Sequence, residues 1–139
     1  MPVYFHCENI NFTLSNKSKI SSWIELVISK NKKNTSNINI IFCNDNYLIG
    51  INKKYLSHDY YTDIITFDNS ISNDISADIF VSIDRVKDNA NKIKIDFNTE
   101  LHRVIIHGIL HLCGFNDKLE EEKTEMRSLE DKYLSELII

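Results

Sequence analysis

A chain of 139 residues with 42% hydrophobic and 26% charged residues has the makings of one globular core, burying about two-thirds of its unfolded surface, and these values exclude a disordered chain. A formal net charge of −4 excludes nucleic-acid binding through a broad basic surface, because that mode depends on clustered Lys and Arg. Any contact with nucleic acid has to be local, and the one dense basic stretch, Lys30, Lys32 and Lys33 with Lys17 and Lys19 nearby, reads as a solvated helix end.

Residues 3–7 read as a strand. Residues 15–29 read as a helix, with Ile20, Trp23, Ile24, Val27 and Ile28 on one face. Residues 37–43 form the next strand, and residues 45–56, with Leu48, Ile49 and Ile51, the next helix. Two β-rich segments follow at 63–67 and 77–83. The pattern turns helical after Asp84 through Val86, Ala90 and Ile93, and Asn98 or Thr99 can cap a helix running to about Cys113. A last helix over 119–137 directs Met126, Leu129, Tyr133, Leu134 and Leu137 inward. This order predicts an α+β fold, a small mixed sheet packed with several helices.

Three glycines and one proline leave no place for a linker, so one domain over residues 1–139 is expected. Cys7, Cys43 and Cys113 are odd in number and lack C-x-x-C spacing, which points to reduced thiols rather than to a disulfide framework. The first residues lack a basic segment followed by an apolar run, and no stretch approaches eighteen uncharged apolar residues. A cytoplasmic protein without membrane association is therefore expected.

Residues 101–117, L-H-R-V-I-I-H-G-I-L-H-L-C-G-F-N-D, carry the chemistry. His107 and His111 are four apart and share a helix face, so both imidazoles can meet one ion, while Leu101, Ile105, Ile109 and Leu112 take the opposite face. Gly114 can end the helix in a left-handed conformation and turn Asp117 back toward the histidines. Two imidazoles and a carboxylate suit Zn²⁺, one per chain, and three protein ligands leave a fourth position open, as in catalytic sites. The zinc site thus falls on a helix in the C-terminal half.

The spacing is shared with metzincin peptidases, H-E-x-x-H-x-x-G-x-x-H, but Gly108 occupies the position of their general base Glu, which speaks against a zinc peptidase or amidase. Glycine inside a helix costs about 1 kcal/mol relative to alanine, so close packing or close approach is expected there. Arg103, one turn before His107 on the same helix face, is a candidate catalytic residue, with a salt bridge or a solvated side chain as the alternative. Asp63 is a candidate base or partner to the metal ligands, or a turn residue. His58 and His102 read as surface histidines. Tyr60 and Tyr61 read as packing or cleft-wall aromatics rather than a base-stacking platform.

H-G-I-L-H-L-C-G-F-N-D at 107–117 closely resembles the signature H-G-x-L-H-L-x-G-[YF]-D-H of the YbeY family, bacterial endoribonucleases of ribosomal RNA maturation. Ile51-Asn52 with Tyr55, Thr62 to Phe67 (similar to T-D-V-L-S-F) and Ala77-Asp78-Ile79 (similar to G-D-I) extend the likeness over roughly residues 50 to 117. The resemblance implies a single-strand-specific, zinc-dependent endoribonuclease that acts on ribosomal RNA precursors, including the 3′ end of small-subunit RNA, and in ribosome quality control. It also implies a small-subunit ribosomal protein and an assembly GTPase as partners, and no DNA. Two positions depart from the family pattern: Asp117 stands where His is usual, and Leu56 stands where many members have an arginine. A non-catalytic assembly factor stabilised by zinc is a further alternative.

Overall fold

The computed structural model describes residues 2–139. In chain order it contains β1 (Val3–Cys7), α1 (Lys17–Lys30), β2 (Asn34–Cys43), α2 (Asp45–Leu56), β3 (Ile64–Asp68), β4 (Asp74–Ser82), α3 (Ile83–Ile93), α4 (Phe97–Leu112) and α5 (Glu120–Glu136). The strands form one sheet in the order β1-β2-β4-β3. β1 and β4 run parallel to β2, and β3 runs antiparallel to β4. The α+β reading with a mixed sheet holds.

Alternation along the strands separates two faces. Ile38, Ile40 and Phe42 of β2 pair with Ala77, Ile79 and Val81 of β4, and all six are buried beneath α1 and α4. Ile64 and Thr66 of β3 stand opposite Val81 and Ile79, which puts them on this same face, at the edge of the sheet. The other face carries a smaller cluster in which Leu48 of α2 packs with Cys43 and Ile65.

Helix α4 runs through the middle of the main core, with Leu101, Ile105, Ile109 and Leu112 buried as their spacing predicts. Its N-cap is Asp96 rather than Asn98 or Thr99: the Asp96 carboxylate accepts from the backbone N–H groups of both. Three-residue reach makes either of those residues a plausible cap by type, but only Asp96 has the extended backbone of a cap, at φ −63° and ψ 140°. Ile93 is half exposed at the end of α3. His102 is no free surface histidine, because it is partly buried edge-on to Trp23, with ring centroids 6.4 Å apart. Lys30 closes α1 in an ion pair with Glu136 at 2.6 Å. The three cysteines are free, and burial pushes the Cys43 and Cys113 thiols up to about 12 and about 11. No described helix is long and apolar enough to cross a membrane.

Candidate metal centre

The end of α4 is built as a Schellman turn. Phe115 N–H donates to the Leu110 carbonyl at 3.1 Å and Gly114 N–H to the His111 carbonyl at 3.0 Å. Gly114 sits at φ 104°, a conformation that a Cβ would disfavour. The turn carries Asp117 back to the exposed face of α4, as its spacing predicts.

There the three expected ligands meet. Asp117 Oδ2 lies 3.2 Å from His107 Nε2 and 3.3 Å from His111 Nε2, and the two ring nitrogens are 3.0 Å apart. Ligand atoms held about 2.0–2.1 Å from a tetrahedral zinc lie about 3.3 Å from one another. The triangle therefore fits such an ion, and the donor set of two imidazoles and one carboxylate suits its borderline character. The three side chains are a quarter to a third exposed, so one side of the triangle faces an open cleft of about 510 Å³, walled by Thr62, Asp63, Ile64 and Thr66.

Glu130 of α5 is the residue that sequence reasoning missed. Its carboxylate is almost fully buried and accepts from His107 Nδ1 at 2.7 Å. A carboxylate only accepts, so Nδ1 carries the proton and the lone pair of Nε2 points into the triangle. A signal was present: Glu130 interrupts the apolar stripe of Met126 and Tyr133, both buried, and a lone charge on a buried stripe needs a partner.

Arg103 is brought to the same carboxylate. Its Nη1 donates to Glu130 at 3.0 Å and its Nη2 to Asp131 at 2.8 Å, so the guanidinium is engaged by two carboxylates. Arg103, Arg127, Glu100, Asp63 and Glu130 line a second cavity of about 230 Å³ on the far side of His107. Burial pushes the Asp63 carboxyl above its ordinary range, against the opposing influence of His107. Burial also raises Glu100, with Asp63 adding to the effect. Burial of His107 opposes its protonation, but the hydrogen bond and charge of Glu130, then Asp117 and Asp63, outweigh it and raise its pKa. Leu56 lies at the end of α2 beside Thr62 and Ile64, in a depression that adjoins the metal cleft.

Gly108 is explained by packing. A Cβ there would lie 2.8 Å from Ile64 Cδ1 and 3.3 Å from Thr66 Oγ1, so its bare backbone is what allows α4 to settle on β3. A methyl group there would press on the flexible end of Ile64, and a side chain as long as a general-base Glu would run on into the side chains of β3.

The family model described as Endoribonuclease YbeY matches residues 5–138. A protein named endoribonuclease YbeY from Parabacteroides distasonis is 46% identical over 135 residues, 97% of this chain and 95% of that one. Another of the same name from Karelsulcia muelleri is 53% identical over 123 residues, 88% and 87% of the two chains. The solution structure of TM1509 from Thermotoga maritima has a TM-score of 0.69 at 24% identity, covering 97% of this chain and 88% of that one, which shows a shared fold. A match over nearly the whole length, with the His-His-Asp triangle where the family signature falls, leads to one conclusion: the chain belongs to the endoribonuclease YbeY family.

Proposed function

We propose that this protein is a cytoplasmic, zinc-dependent endoribonuclease that cuts single-stranded ribosomal RNA precursors, including the 3′ end of small-subunit RNA, and serves ribosome quality control. The observation that carries the catalytic reading is the triangle of His107 Nε2, His111 Nε2 and Asp117 Oδ2, with edges of 3.0–3.3 Å and one open side. RNA as substrate is supported by membership of a family whose relatives are named for that activity. A small-subunit ribosomal protein and an assembly GTPase are proposed partners on the same ground.

Zinc held there supplies Lewis acidity toward a phosphoryl oxygen and toward water. The chain's own residues do the rest. Glu130 fixes the tautomer and orientation of His107, and Arg103 holds Glu130 in place. Asp63, on the wall of the cleft and raised by burial, is the carboxyl suited to exchange a proton with the leaving oxygen. Arg103 borders the cavity beside His107, with both of its Nη groups taken by Glu130 and Asp131, so it acts as a positioning residue for Glu130. Peptide hydrolysis in the metzincin manner has no base, since Gly108 stands where those enzymes carry their Glu.

The deciding experiment is metal analysis of the purified protein beside RNA cleavage with and without added zinc. The expected result is about one zinc per chain and cleavage that chelation removes and zinc restores. Cleavage indifferent to metal, or a folded protein that stays metal-free after reconstitution, defeats the proposal.

A further inference from the structure

The trough that holds the triad does not end at the triad. Thr62, Ile64 and Thr66 line the metal cleft and also line an adjoining depression of about 260 Å³, bounded by Leu56, His58 and Tyr60. Because the three residues belong to both, the two hollows form one trough across edge strand β3.

The loop at the far end is pinned from beneath. Asn52, almost fully buried on α2, donates through Nδ2 to the Tyr60 carbonyl at 3.0 Å. Its own carbonyl accepts from His58 N–H at 3.1 Å. On this base the rings of His58 and Tyr60 stack, with centroids 5.1 Å apart and planes inclined by 23°. Tyr60 Oη and His58 Nδ1, 3.0 Å apart, tie the pair together. Tyr60 remains 55% exposed.

Two aromatic rings ordered in advance and facing water offer a planar apolar surface at little further entropic cost. The depression beside them is lined by Asn52, Thr62 and Thr66 among others, with no Lys or Arg. That chemistry suits a neutral, flat ligand with hydrogen-bonding edges. Lys54, in the last turn of α2, supplies positive charge for the backbone that would carry it, while Lys53 is paired with Asp59 at 3.2 Å.

We infer that His58 and Tyr60 form a stacking platform for an unpaired nucleobase of the RNA strand whose phosphate lies at the metal triangle. The inference rests on the endoribonuclease reading and adds to it the residues that recognise the strand. In a duplex each base is already stacked and paired, so the platform serves single strands. The pair that separately read as a surface histidine and a cleft-wall aromatic becomes one surface through the Asn52 anchor.

The test uses zinc-loaded protein and a short fluorescein-labelled single-stranded oligoribonucleotide. The double variant His58→Ala/Tyr60→Ala is expected to bind it about 10- to 100-fold more weakly, with a cost per base typical of lost aromatic stacking. Its circular dichroism should stay unchanged, because Asn52 holds the Tyr60 backbone carbonyl and not its ring. Tyr60→Trp should bind at least as tightly as wild type, and unlabelled single strand should quench its indole emission while a duplex of the same sequence does not. The native Trp23, 4% exposed, leaves a steady background. Unchanged affinity in a folded double variant overturns the platform and leaves the nuclease reading intact, as does an unquenched indole in a Tyr60→Trp protein that still cleaves RNA. Wild-type protein that carries zinc yet neither binds nor cleaves single-stranded RNA defeats the nuclease reading itself, and the platform with it.

Discussion

Glu130 lies 23 residues from His107 in sequence, and its Oε2 accepts a 2.7 Å hydrogen bond from the His107 Nδ1–H. The bond sets the ring so that Nε2 faces the metal position, and partners of this kind typically contribute 10- to 100-fold to metal affinity. Glu130→Gln is expected to lower zinc affinity by about that factor while the fold persists, as competition with a chelator would measure. Equal affinity for the two proteins would mean that α5 does not orient the ligand.

Arg103 and Glu130 are a mostly buried ion pair, with side chains 14% and 6% exposed. Removing one partner of such a pair costs about 3–5 kcal/mol where the other is left uncompensated, and here Arg127, 3.8 Å from Glu130 Oε1, and His107 keep part of the compensation, so the low end applies. Arg103→Met is therefore expected to lower unfolding stability by roughly 3 kcal/mol and to weaken zinc binding through the freed Glu130. Urea titration and chelator competition check the two halves. A fall in kcat at saturating zinc, with stability and zinc affinity unchanged, would instead place Arg103 on the substrate phosphate.

His107→Ala and His111→Ala should each remove zinc and RNA-processing activity with little loss of helix content, because the opposite face of α4 stays in the core. Asp117→Ala should weaken zinc strongly, Asp117→His should retain it, and Asn116→Ala should have no effect. Replacing the anionic ligand with a neutral one makes water at the metal more acidic, so the pH dependence of activity in Asp117→His should move downward. Identical zinc affinity in wild type and Asp117→Ala would show that the third ligand lies elsewhere.

At Gly108 the nearest obstacle to a methyl group is the flexible end of Ile64, at 2.8 Å. Gly108→Ala gains about 1 kcal/mol of helix propensity against that crowding and should leave stability within about 1 kcal/mol of wild type. Gly108→Glu, which recreates the peptidase spacing, has to displace β3. It should lose at least 1–3 kcal/mol and cleave no peptide substrate. Thermal unfolding with a peptide panel decides this, and a stable, peptide-cleaving Gly108→Glu would refute the packing account.

His102 has its pKa lowered from 6.5 by burial beside Trp23, with Asp96 pulling in the other direction. The unfolded chain thus binds a proton more readily than the native one. The stability tied to the neutral ring is present above about pH 6.5 and is lost as pH falls below it toward the folded value. His102→Gln should flatten the difference in urea midpoint between pH 7 and pH 5 relative to wild type. Parallel pH profiles for the two proteins would rule out this contribution.

The elements, the convergence of His107, His111 and Asp117 and the turn that joins them were legible in the sequence because each depends on short range. A four-residue step puts His107 and His111 on one helix face whatever surrounds the helix, and Gly114 three residues later permits the reversal that returns Asp117. The buried faces of α1, α4 and α5 follow from the same periodicity. Only the tertiary structure decided who stands behind and beside the trio. Glu130 reaches His107 because α5 packs on α4, Gly108 is bare because β3 is the strand beneath it, and Arg103 is held by carboxylates from another helix. His58 and Tyr60 share a wall with the metal cleft because β3 pairs with β4 at the sheet edge. Backbone geometry sets spacing within an element, whereas contacts between elements arise from packing the whole core, which no local pattern specifies.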